Sequence, residues 1–228
     1  MHPKSASRTT LDRAYEEIKR SIVEGGYKPG QRLKALRVAG ELKMSRTPVK
    51  EALARLEQEG LVRREAGSGY IVRGLSILDI LNLYKVREAL EVEAVREAVP
   101  NLSEESLRRM REALDHADLL LKKKSYNEFL RANRSFHKLI VAASRNGVLQ
   151  EVLSNLDARF WSIGTVVVSR NPARAEQIRR ENRAIFDALG KRDLRNAEKA
   201  VRVHVRGATE NVKLFIEREP QHLMMVAA

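Results

Sequence analysis

The sequence of 228 residues is long enough for two ordinary domains, and its hydrophobic share of 43% is enough to fill their cores. It contains no cysteine, which excludes disulfides, thiolate metal sites and cysteine nucleophiles. No apolar run approaches about 18 residues, and the start has no signal-peptide core, so we expect a cytoplasmic protein without a membrane span. The formal net charge of +13 points to a polyanionic partner, and residues 1–74 hold +7 of it.

The first third of the chain predicts three helices and a β-hairpin. Apolar residues at helical spacing place the helices from Leu11 to the glycine pair at 25–26, from about Ala35 to Leu42, and from Ser45 to Gly60. Two short strands at 61–64 and 70–73 flank a turn of Gly67, Ser68 and Gly69. This order of elements is that of a winged helix-turn-helix.

Beyond Gly74 no strand pattern returns, and long amphipathic segments follow one another. They predict six helices, near residues 76–99, 103–123, 125–145, 147–169, 173–190 and 193–217. The predicted fold class is therefore mainly α. It combines a winged helix-turn-helix domain over residues 1–74 with an all-α helical bundle over residues 75–228.

Residues 29–73 resemble the DNA-binding domain of the GntR family of bacterial transcription regulators. The resemblance rests on the segments PGQRL (29–33), MSRTPVKEAL (44–53) and LEQEGLV (56–62). The helical remainder resembles the effector domain of the FadR-type subfamily, the FCD group. Together they imply a sequence-specific transcription regulator, not an enzyme, whose affinity for a double-stranded DNA operator is controlled by a small-molecule effector.

The start of the third helix is the expected recognition element. Arg46 can donate two hydrogen bonds to a guanine in the major groove, which contributes about 1–3 kcal/mol of discrimination. The resemblance and this chemistry give the predicted DNA-binding residues, which are Arg32, Arg37, Ser45, Arg46, Thr47, Lys50 and, at the tip of the wing, Gly67. A solvated surface charge is the alternative for Arg32 and Arg37. Family members often carry a basic residue where this chain has Leu36, so the operator cannot be transferred from relatives.

Polar residues interrupt the apolar stripes of three helices in the second domain. Asn133 and His137 are four residues apart and share a helix face, while Asn182 and His204 lie on later helices. Buried polar groups need partners, so we expect all four to meet in the bundle.

In many FCD domains the four matching positions hold metal ligands, namely one aspartate and three histidines. Here two alternatives stay open. One is a divalent zinc or nickel site at Asn133, His137, Asn182 and His204, weakened because it lacks one imidazole and the carboxylate. The other is a metal-free pocket in which the same side chains bind the effector directly or satisfy one another.

The resemblance also implies an organic acid as effector, and an arginine fork binds a carboxylate well. Arg87 matches a family arginine on the first helix of this domain, and Arg134 and Arg159 are further candidates. The alternative for Arg87 is an ion pair with Glu91 on the helix surface.

We expect a homodimer, because one recognition helix reads too few base pairs for a specific site. Other interpretations are a metal-responsive or effector-independent DNA-binding protein of the same fold, or an architectural DNA binder. A metal-dependent enzyme is disfavoured, because no general base or nucleophile motif accompanies the histidines.

Overall fold

A computed structural model describes residues 9–23, 26–67, 69–74 and 77–218, without the side chains of Val23, Ser162, Val166 and Arg170. These residues form two compact units, one on each side of residues 75 and 76. Gly25 and Ser68, which belong to two predicted turns, lie outside the described residues. Over the described ranges, no helix has the length and apolar character needed to cross a membrane.

The first unit has the predicted three helices and hairpin, with one additional strand. Its elements are α1 (Thr10–Val23), β1 (Arg32–Leu33), α2 (Ala35–Leu42), α3 (Arg46–Gln58), β2 (Val62–Glu65) and β3 (Gly69–Val72). The sheet is antiparallel in the order β1-β3-β2. Ile18, Leu33 and Leu53 are fully buried between the helices and the sheet. The winged helix-turn-helix prediction is confirmed.

Strand β1 was not predicted, because two residues are too few to show the alternation of a strand. It pairs with β3, with Arg32 opposite Ile71. Gly69 permits this close approach. A Cβ there would lie 2.8 Å from the carbonyl oxygen of Leu33, and its φ of +91° favours glycine. Gly67 also has a positive φ, +72°, but faces open space.

The second unit is all-helical, as predicted. It consists of α4 (Ile77–Ala98), a short 3-10 helix (Val99–Asn101), α5 (Glu104–Lys122), α6 (Tyr126–Ala143), α7 (Gly147–Arg170), α8 (Ala173–Gly190) and α9 (Leu194–Arg218). The most extensive contacts join α5 to α6, α8 to α9 and α4 to α9. Met110, Phe129, Phe136 and Ile185 are among the largest fully buried side chains. The bundle therefore has its own apolar core.

Candidate functional site

The predicted DNA-contacting residues of α3 lie at its exposed N-terminus. Ser45 is the N-cap residue in an extended conformation, and Ser45, Arg46, Thr47 and Lys50 are all exposed. The Ser45 hydroxyl accepts no capping hydrogen bond from the described backbone of α3. The hydroxyl and the first backbone N–H groups of this helix are thus presented together, and they suit a phosphate.

The predicted basic residues differ in whether they are already paired. Arg32 lies 3.2 Å from Glu65, and Arg37 lies 3.0 Å from Glu41. No ion pair joins Arg46 or Lys50 to another residue in the part of the chain that the structure describes. Arg46 can therefore contact a base without breaking a contact within the protein, whereas Arg32 must share or give up a carboxylate.

The second unit contains a partly open cavity of about 490 Å³ between helices α4, α6, α7, α8 and α9. Much of its wall is apolar and includes Leu130, Ile140, Phe160, Ile178 and Val201. The sequence predicted Arg87, Asn133, His137, Asn182 and His204 for the effector site. The structure brings all of them except Asn182 to this wall. The volume is in the range that holds a small organic ligand.

Arg87 and His137 are joined through one buried carboxylate. Arg87 Nε donates to Glu91 Oε1 at 2.5 Å, and His137 Nδ1 lies 3.3 Å from Glu91 Oε2. Burial alone would raise the pKa of Glu91, but the charges of Arg87 and His137 outweigh it and hold the pKa below its usual range. The Arg87–Glu91 pair is thus present, but it is buried in the bundle and does not lie on the helix surface.

His204 is held in a matching way from α8. The Arg174 guanidinium donates to both oxygens of Glu181, at 2.6 and 2.9 Å, and His204 Nδ1 lies 2.9 Å from Glu181 Oε2. Burial lowers the pKa of His204 to about 4, with the charges of His137 and Arg87 adding to the effect. We therefore assign a neutral ring that donates its Nδ1 proton to Glu181.

The two histidine rings stack on each other, with centroids 4.8 Å apart and planes 27° apart. Together the six residues form a continuous series from α4 through α6 and α9 to α8. We call this series the polar chain, and its members are Arg87, Glu91, His137, His204, Glu181 and Arg174.

Sequence reasoning missed Arg174 and Glu181, although a signal was present. They are seven residues apart on α8, in the same stripe as the buried Ile178 and Ile185. Two opposite charges in an apolar stripe indicate a buried ion pair.

The two asparagines contact each other directly. The Asn182 side-chain amide donates to Asn133 Oδ1, and Asn182 is only 1% exposed. Asn182 therefore relates to the cavity through Asn133. His137 Nε2 and Asn182 Oδ1 are buried, and no residue in the described ranges hydrogen-bonds to either atom.

Arg134, a further candidate for the effector, also lines the cavity and is already paired. Its Nε donates to Asp157 Oδ2 at 2.5 Å, and Lys138 lies 3.3 Å from the same oxygen. The pair is more exposed than the ion pairs of Arg87 and Arg174. Three guanidinium groups thus border the cavity, and each is held by a carboxylate of the protein.

A divalent metal ion does not fit these residues well. The four candidate positions offer two imidazoles and two carboxamides, whereas zinc and nickel favour imidazole together with carboxylate or thiolate. Glu91 and Glu181 lie on the Nδ1 sides of the rings and are bound to arginines. Within the described residues, no three histidine, aspartate or glutamate side chains are grouped to hold a metal ion.

A winged helix-turn-helix whose third helix has an exposed N-terminus, followed in the sequence by a helical unit with a polar-lined cavity, is the arrangement of DNA-binding proteins that carry a ligand site. Comparison with known families agrees. Residues 10–72 match the model "Bacterial regulatory proteins, gntR family", and residues 82–207 match the FCD domain. The chain belongs to the GntR family and carries an FCD domain. It is a DNA-binding transcription regulator with an effector-binding domain, not an enzyme.

Curated relatives and solved structures share this architecture. The chain is 29% identical over 204 residues to the uncharacterized HTH-type transcriptional regulator YdhC of Bacillus subtilis, covering 89% of this chain and 91% of that protein. It is 26% identical over 204 residues to the HTH-type transcriptional repressor RspR of Escherichia coli, covering 87% of each. The structure of E. coli McbR/YncC superposes with a TM-score of 0.78 at 23% identity, covering 94% of this chain and 99% of that one, so it shows the same fold.

Proposed function

We propose that this protein binds a specific operator as a homodimer, and that a small organic acid in the helical cavity controls its affinity for that operator. The observation that carries the proposal is the cavity of about 490 Å³, whose largely apolar wall holds Arg87, Asn133, His137 and His204. A pocket with a few converging polar groups is the usual form of a site for a small molecule.

The guanidinium groups at the cavity support a carboxylate as the ligand's charged group. Guanidinium offers five N–H donors, and the carboxylates that now hold Arg87 and Arg134 show that each accepts this kind of partner. We assign the ligand's carboxylate to Arg87, beside His137, with the more exposed Arg134 as the other arginine available. When the ligand binds, its carboxylate then replaces the protein carboxylate at the arginine or shares the arginine with it.

The remaining polar groups of the wall suit a ligand with further hydrogen-bonding groups. His137 Nε2 is buried without a hydrogen-bond partner among the described residues, which is costly unless a ligand or water contacts it. We assign Asn133, His137 and His204 to direct contact with the effector, and Asn182 to holding Asn133.

On DNA, we assign base contact to Arg46 and phosphate contacts to Ser45, Thr47, Lys50, Arg32 and Arg37, with Gly67 at the wing tip. Two such heads in a dimer read two half-sites. The effector controls binding through its different affinities for the two arrangements of the dimer, which is the only way in which a ligand shifts such an equilibrium.

A thermal-shift screen of the full-length protein tests the effector class. Organic acids, sugar acids and amino acids are compared with neutral sugars of matched size. We expect at least one acid to raise the melting temperature, because a ligand that binds only the folded state stabilises it. If only neutral compounds stabilise the protein, the assignment of a carboxylate is wrong.

The arginine is then tested with the acid that binds. Arg87→Lys keeps the charge but loses the planar fork, so affinity should fall about tenfold or more. Arg108→Lys, on the exposed face of α5, is the control and should leave affinity unchanged. A full effect in Arg134→Lys and none in Arg87→Lys would move the carboxylate to the other arginine.

A further inference from the structure

The polar chain is balanced in charge without any added ion. Its two guanidinium groups face two carboxylates, Arg87 with Glu91 and Arg174 with Glu181, and all four side chains are largely buried. Each carboxylate also holds a histidine by Nδ1. The charges of these two guanidinium groups and two carboxylates sum to zero, which is the state that a buried site favours.

A second contact ties α6 to α8 beside the polar chain. The amide of Asn182 donates directly to the amide oxygen of Asn133. This hydrogen bond links α6 to α8 directly, without an ion or ligand between the two side chains. It also engages the oxygen of Asn133, which would otherwise be free to face a cation.

A divalent ion at this place would add two positive charges that nothing nearby offsets. The carboxylates are already bound to guanidinium groups, and the imidazoles and carboxamides that would face the ion carry no negative charge.

We infer that the polar chain and the Asn133–Asn182 bond join α4, α6, α8 and α9 without a resident divalent metal ion. The cavity then takes its effector by direct contact with protein side chains. The inference rests on the proposed function only in placing the effector in this cavity. The metal content is measured without any effector. The result can therefore contradict the absence of a resident metal without contradicting the proposed effector site, and the reverse also holds.

The test is the metal content of the full-length protein, produced in medium with added zinc and nickel and purified without a metal-affinity column. We expect less than about a tenth of an equivalent of transition metal, and a melting temperature that neither a chelator nor added Zn²⁺ or Ni²⁺ changes by more than about 1 °C. One equivalent of metal that survives dialysis, or a loss of melting temperature in chelator that metal restores, overturns the inference.

A gain-of-site variant tests whether the asparagine pair is what excludes the ion. Asn133→Asp with Asn182→His supplies a carboxylate and a third imidazole. It should bind about one equivalent of Zn²⁺ or Ni²⁺ and gain about 5–10 °C in melting temperature when the metal is in large excess over its dissociation constant. Asn155→Asp, at an exposed position of α7, is the matched control and should gain nothing.

A folded double variant that takes up no metal contradicts the role given to the asparagine pair. If the double variant does not fold, the metal content of the unchanged protein decides the matter alone.

Discussion

At the start of α3, Arg46 and Lys50 are exposed and, over the described ranges, form no ion pair, whereas Arg87 and Arg174 of the helical unit are buried and each is bound by a glutamate. Water stabilises the first kind of charge, and a polyanion can replace that water. The second kind is stabilised only by its protein partner. Arginine is thus exposed to solvent in one unit and bound to a buried carboxylate in the other. Removing the partner of a buried arginine should therefore destabilise the protein much more than removing the partner of an exposed one.

The largest effect is expected from Glu181→Ala. It leaves Arg174, which is 2% exposed, as an uncompensated buried charge, and should lower stability by about 3–5 kcal/mol and the melting temperature by about 6–20 °C. Glu105→Ala removes an exposed partner of Arg108 on α5 and should change stability by less than about 1 kcal/mol. Differential scanning calorimetry of both variants decides it. If both variants lose the same small amount of stability, the ion pairs of the polar chain contribute no more than an exposed pair.

The second prediction concerns the exposed face. Arg46→Ala should weaken binding to the operator by about 1–3 kcal/mol and binding to random duplex much less, because the lost contact is to a base. Arg32→Ala should lower both affinities together and flatten their dependence on salt. Gel-shift titrations with both duplexes measure this. Equal losses of Arg46→Ala on operator and random DNA would remove it from base readout.

Substitutions at two glycines test the polar chain more locally and should change stability less. A Cβ at Gly207 of α9 would lie 2.7 Å from Glu181 Oε1, while a Cβ at Gly164 of α7 meets nothing within 4 Å. Gly207→Ala should therefore destabilise the protein by about 1–3 kcal/mol, because it displaces a carboxylate that is bound on two sides. Gly164→Ala should be stabilising by about 0.5–1 kcal/mol, as alanine favours helix. Chemical denaturation of both variants is the measurement, and a stabilising Gly207→Ala would mean that Glu181 moves freely.

The smallest effect is expected from separating the two units. A fragment of residues 75–228 has the complete polar chain and its own apolar core, so it should fold as helix and bind the effector as the full chain does. Circular dichroism and ligand titration of the fragment check this. An unfolded fragment would contradict the domain boundary at Gly74 that we propose.

The comparison also explains what the sequence could predict. Helical periodicity and glycine turns predicted the winged helix-turn-helix and the helices of the bundle, because each depends on neighbours in the chain. The meeting of His137 with His204 was expected from polar residues in apolar stripes, and the stacked rings agree.

The contacts that join these groups across helices could not be predicted, although the Arg87–Glu91 pair within α4 was one of the alternatives. Glu91 bridges Arg87 to His137, and Glu181 bridges Arg174 to His204, across helices whose relative rotation no local pattern specifies. The strand β1 was missed for a related reason, since it pairs with β3, which is almost forty residues away in sequence. Contacts between residues far apart in sequence depend on how the helices and strands pack, and local sequence patterns give little information about them.

The most direct test of effector-controlled operator binding is selection of DNA from a random duplex library by the full-length protein, followed by titration of the selected sequence with and without the stabilising acid. We predict a site of two related half-sites about 10 base pairs apart or a multiple of that, whose affinity the acid changes at least about fivefold. A library without an enriched sequence, or an affinity that the bound acid leaves unchanged, would contradict the account.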